Sequence, residues 1–181
     1  MSVDSDDTNQ TTLRPSAKDG MRKILLNRKT QLHMLVFRPF LEFFAGKQLE
    51  VLILPASQRE HLLFGAQKCI TYTLRFLQRQ PRLAERHYGS WLLARNVWSG
   101  GLTLVAACNT PTVLKHLSSV PTAMEVNASS ESYQLSYSNM MSTGELACSL
   151  LRQWEHESPS LSHCATILSS LIIETRRHHG Q

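Results

Sequence analysis

The sequence predicts an all-α protein: an irregular bundle of five to seven helices behind a disordered N-terminal leader. Three observations carry this expectation. Ser57 to Gln80 repeats its apolar residues at helical spacing along one broad stripe. Arg86 to Cys108 is apolar on most of its sides, which suits a helix in the middle of a bundle. No stretch alternates apolar and polar residues as a half-buried strand would, and no internal repeat is present.

The 181 residues suffice for one domain with a substantial core, and 42% apolar with 18% charged residues is an ordinary globular composition. The formal charge of +5 is compatible with acidic partners or nucleic acid without requiring either. The basic residues form two small groups. Arg22, Lys23, Arg28 and Lys29 read as a solvated linker; Arg176-Arg177-His178-His179 reads as a helix C-terminus, where the dipole favours cations. Neither has the length or aromatic interleaving of a nucleic-acid surface.

Residues 1–29 are rich in Ser, Thr, Asp and Asn and are expected to be a disordered leader, with a short helical turn at Met21–Leu26. A single helical domain is expected over 30–178. Thr30 is a candidate N-cap before Leu32, Leu35, Val36, Phe40, Phe43 and Phe44, which recur at helical spacing. Pro39 should kink this helix or divide it, because proline lacks the N–H and clashes with the preceding turn. Gly46 should end it, and Lys47 to Ala56 should pack as a loop.

In the next helix Ser57 and Glu60 form an S-x-x-E capping box. Leu62, Leu63, Ala66, Cys69, Ile70, Thr73, Leu74 and Leu77 make its stripe, and Pro81 ends it. The central helix opens at His87-Tyr88-Gly89-Ser90, with Ser90 as N-cap. Gly100-Gly101 costs roughly 1 kcal/mol per glycine relative to alanine, so a neighbouring helix should come close there. A membrane span needs about 20 apolar residues, and the run from Val97 to Cys108 is too short. Asn109-Thr110-Pro111 stops this helix and starts a short one reaching about Leu117. Residues 118–139 read as a flexible loop. Ser142 and Glu145 form a second capping box, opening a helix with Leu146, Ala147, Leu150, Leu151 and Trp154 that ends at Glu155-His156-Glu157. Ser158 as N-cap and Pro159 at the first position start the last helix, whose inner face is Leu161, Cys164, Ile167, Leu168, Leu171 and Ile172.

Little in the chain points to catalysis or metal binding. Cys69, Cys108, Cys148 and Cys164 form no C-x-x-C pair and no secretory signal precedes them, so buried thiols in a reducing compartment are expected. G-x-S-x-G, the P-loop and G-x-G-x-x-G are lacking, and His87 and Cys108 lie too far apart along one helix to meet. His156, His163 and Cys164 are faintly metal-like, but their spacing is wrong for a structural zinc site and no fourth ligand stands out. Glu155 and Glu157, two apart at a helix end, should point in different directions. Arg95 and Asn96 interrupt the apolar central helix. A buried arginine there needs a carboxylate or several carbonyls, either as structural pairing or as a ligand contact in a pocket near Trp98. No catalytic, cofactor-binding or metal-ligating residue and no cofactor is assigned.

Three stretches in order carry a resemblance. They are Arg38-Pro39-Phe40-Leu41 within Leu32–Leu41; Cys69–Leu77 followed by His87-Tyr88-Gly89-Ser90-Trp91-Leu92 and the Arg95-Asn96 helix; and Leu150-Leu151-Arg152-Gln153-Trp154-Glu155-His156-Glu157-Ser158-Pro159. Over about residues 30–175 the chain resembles the C-terminal half of the fungal transcription factor regulatory domain, the middle homology region of zinc-cluster transcription factors. The resemblance implies a helical bundle, a nuclear location, and a part in transcription control, often of specialised metabolism. Such domains usually follow a Zn2Cys6 cluster that reads DNA. Four widely separated cysteines cannot supply its six paired ones, so no DNA-reading module is expected here. The usual N-terminal half of the domain is also missing, as in a truncated protein. The expectation is a non-enzymatic, transcription-regulator-like protein acting through protein partners, among them a full-length zinc-cluster factor, or a small effector, with no membrane contact. The competing expectation is a small helical ligand-binding protein or enzyme with a pocket near Arg95.

Overall fold

A computed structural model describes residues 17–46, 53–80, 90–119, 135–156 and 158–180. The chain is all-α. Six helices lie among the described residues: α1 (Ala17–Gly46), α2 (Ala56–Gln78), α3 (Ser90–Cys108), α4 (Pro111–Ser119), α5 (Tyr137–Arg152) and α6 (Pro159–His179).

α3 lies at the centre and packs on α5, α6, α2, α4 and α1. Its composition explains the position: Ala94, Val97, Leu104, Val105, Ala107 and Cys108 are all buried. The close approach expected at the glycine pair is present on two sides. A Cβ on Gly101 would lie 2.5 Å from Leu168 Cδ2 of α6, and one on Gly100 would lie 3.4 Å from the Leu77 side chain of α2. α5 repeats the device with Gly144, which faces Ile172 of α6. α5 and α6 run antiparallel, so that Cys148 meets Ala165 near their shared turn and Gly144 meets Ile172 at the far end. No described helix is long and apolar enough to cross a membrane.

α1 rests chiefly on α2. The pair is antiparallel: the Phe40 ring lies against Gly65, and His33 stacks on Tyr72 with ring centroids 4.5 Å apart. Several boundaries differ from those expected. Residues 17–29 are helical rather than a leader, so Arg22, Lys23, Arg28 and Lys29 lie on α1 and not in a linker; residues 1–16 lie outside the described residues. Thr30 is inside the helix and donates to the Leu26 carbonyl at 2.9 Å instead of capping. Pro39 does not divide α1. It and Leu35, whose carbonyl loses the i→i−4 bond, are both exposed, so the loss falls on the solvent side of the helix.

Neither S-x-x-E box starts a helix. α2 begins after Pro55 without a side-chain cap. α5 begins at Tyr137, with Ser136 Oγ accepting from the Asn139 N–H at 3.2 Å, so Ser142 falls inside it. The earlier start buries Met140 and Met141. α5 stops at Arg152, before the expected Glu155-His156-Glu157 end; Glu157 lies outside the described residues. α6 starts as expected, with Ser158 before Pro159 and four basic residues in the last turn. Its buried face includes Leu161, Ala165, Leu168, Ile172 and Thr175, whereas Ile167 is exposed.

Candidate functional site

The residues singled out from the sequence do not come together. Arg95 is exposed, so the carboxylate expected for a buried arginine is not required. A helix apolar on most sides still has one outer strip, and Arg95 occupies it. His87 and Tyr88 lie outside the described residues. His156 and His163 are exposed and Cys164 is half-buried. Among the described residues no group of three or more His, Cys, Asp or Glu is placed to hold a metal ion.

One residue beyond Arg95, Asn96 lines an open groove of about 270 Å³ between α1, α2 and α3. Arg28, Leu32 and Leu35 of α1 form one wall and Leu92 of α3 the other, with Cys69, Thr73, Ser99 and Thr103 in the floor. The polar floor is already satisfied. Thr73 donates to the Cys69 carbonyl and Thr103 to the Ser99 carbonyl, each at 2.8 Å within its own helix. Ser99 Oγ accepts from Arg38 at 2.8 Å, and the same guanidinium donates to Glu42 at 2.8 Å. Arg38 thus ties α1 to α3. Among the described residues, no base lies beside the hydroxyl groups in the floor to activate them as nucleophiles.

The Cys69 thiol is held protonated as well. Burial, outweighing the hydrogen bond with Thr73, pushes it up to about 11. Burial alone pushes Cys108 up to about 12, and burial raises Cys148. All four cysteines are free, and the three buried ones are inert packing groups at neutral pH. The sign of their linkage is definite. From pH 9.0, the ordinary value, the unfolded chain loses these protons. The native state keeps them to about 11 at Cys69 and about 12 at Cys108. The native state therefore binds more protons over this window, and stability falls as pH rises through it. Urea midpoints should drop between about pH 8 and about pH 10.5, and Cys108→Ala should flatten that slope. An unchanged slope in the variant would contradict the assignment to Cys108.

What the groove offers is apolar surface, and α1 continues it. Met21, Ile24, Leu25, Leu32, Leu35 and Val36 are all exposed, at 57–64% of their surface. Met21, Leu25, Arg28, Leu32, Leu35 and Pro39 are spaced four, three, four, three and four residues apart, so they line one side of the helix. The side packed on α2 is a different one, carrying Met34, Phe37, Leu41 and Phe44. Leu32, Leu35 and Val36 were expected on the inner face with the phenylalanines. α1 is apolar on two sides, and periodicity alone cannot say which side meets the bundle. Leu92, exposed at the start of α3, extends the apolar surface across the groove.

No family model, characterised protein or solved structure matches the chain.

Proposed function

We propose that the chain is a non-enzymatic helical regulatory module that works by docking a protein partner on the outer face of α1. The observation that carries this reading is the exposed apolar side of α1, continuous with the groove through Leu32 and Leu35. Isolated exposed apolar residues are ordinary, but a row of them along one helix, here interrupted by Arg28, marks an interaction surface. The resemblance to the regulatory region of fungal zinc-cluster factors adds the context: transcription control in the nucleus, in a specialised-metabolite pathway, with a full-length factor of that class as partner. DNA recognition would belong to the partner. The competing reading, a small ligand or substrate in the groove beside Asn96 near the exposed Arg95, has less behind it. The groove takes up Leu32 and Leu35 but leaves Met21, Ile24, Leu25 and Val36 bare.

The test fuses the chain to a heterologous DNA-binding module upstream of a reporter. Transcription should change severalfold, up or down, and the change should vanish in Leu32→Asp/Leu35→Asp. Both leucines are 63% exposed, so the variant should keep its helical signal and thermal midpoint. A folded wild-type fusion that leaves the reporter unmoved overturns the proposal.

A further inference from the structure

We infer that the outer face of α1 receives an amphipathic helix with acidic flanks. The inference rests on the docking reading above and names the chemistry of the partner.

Length argues first. Met21 to Val36 spans about 22 Å along the helix axis at 1.5 Å per residue. That is four turns, far beyond a small ligand and well matched to a single helix. The four–three spacing along this side is the pattern by which one helix meets another. The groove supplies the depth such a contact needs, since side chains of the incoming helix can seat between Leu35 and Leu92.

Charge selects the partner's character. Between Gly20 and Phe37 the helix carries Arg22, Lys23, Arg28 and Lys29 and no Asp or Glu, whereas Arg38 beyond them is already paired with Glu42. Arg22 and Lys29 are exposed along one flank by their spacing, and exposed Arg28 lies within the apolar row itself. A second copy of this chain is a poor occupant. Two α1 helices paired about their middles would set Arg28 against Arg28, with further like charges along the flanks, and like-charge juxtaposition costs affinity. A flat anionic bilayer cannot enter the groove between α1 and α3. A helix with leucines on one side and glutamates flanking them fits both the apolar row and the arginines.

The probe is a synthetic amphipathic peptide of about 20 residues, with leucines at four–three spacing and glutamates on both flanks. A control peptide has every glutamate replaced by lysine. Titrated into the full chain by calorimetry, the acidic peptide should bind about tenfold or more tighter than the basic one. Arg28→Glu should weaken it about tenfold, and added salt should weaken it further. Leu32→Asp/Leu35→Asp should abolish binding. Equal or tighter binding of the basic peptide overturns the inference. So does binding to phosphatidylserine vesicles with no binding of the acidic peptide, or a dimer in sedimentation that occupies this face. If the reporter still depends on Leu32 and Leu35 but the acidic peptide does not bind, only the partner's chemistry is wrong. If the reporter ignores those two leucines, the docking reading falls, and this inference with it.

Discussion

Gly101→Val should destabilise the protein by about 3 kcal/mol, the cost of overpacking a closed helix crossing. A Cβ there would stand 2.5 Å from Leu168 Cδ2, 3.2 Å from Leu168 Cδ1 and 3.4 Å from the Ala147 Cβ. Leu168 is fully buried, so its methyl groups cannot swing aside without displacing their own neighbours. The few tenths of a kcal/mol that valine gains over glycine in helix propensity does not offset this. Gly100→Ala is the internal control. Its Cβ would meet Leu77 at 3.4 Å, the edge of ordinary contact, so the propensity gain should leave that variant as stable as wild type or slightly more so. Urea denaturation of both variants, with Leu168→Ala added to Gly101→Val, checks the cause. The second substitution should cost less in the valine background than in wild type, because it opens the space the valine needs. Additive effects would mean that Leu168 is not what limits position 101.

That crossing was legible in the sequence because two adjacent glycines in an otherwise apolar helix cost stability with no local return. The identity of the neighbours was not, since a pattern on one helix says nothing about what faces it. The same limit explains α1. Its residues are apolar on two sides, and only packing on Tyr72 and Gly65 of α2 decides that Phe37, Phe40 and Phe44 turn inward while Leu32 and Leu35 face out. The second capping box failed for a related reason. S-x-x-E is a local option that a longer helix overrides when residues before it can also be buried, as Met140 and Met141 are before Glu145. The groove required three helices at once. Of its residues the sequence marks Asn96, as a polar interruption of the apolar helix, but it marks the neighbouring Arg95 equally, and Arg95 is exposed outside the groove.

Phe44→Ala should have the largest effect on the surface proposed to function, at about 3–5 kcal/mol for a buried aromatic truncated to alanine. Phe44 is 1% exposed and, with Leu41, anchors the C-terminal half of α1. α1 rests mainly on α2 and only lightly on α3, whereas the remaining bundle has its own core in Ile70, Leu74, Val97, Leu104, Leu151 and Leu168. The loss should therefore fall on one element. Hydrogen exchange should show protection collapsing across residues 26–46 while the amides of α3 and α5 keep most of theirs. The functional consequence follows from geometry. Leu32 and Leu35 share a groove with Leu92 only while α1 lies against α2. Undocking α1 leaves every side chain of the row intact but removes the opposite wall, so the variant should bind the acidic peptide more weakly without any change in the contact residues themselves. Uniform loss of protection over all helices would show instead that α1 belongs to one cooperative unit with the core, and that partner binding and global stability cannot be separated at this position.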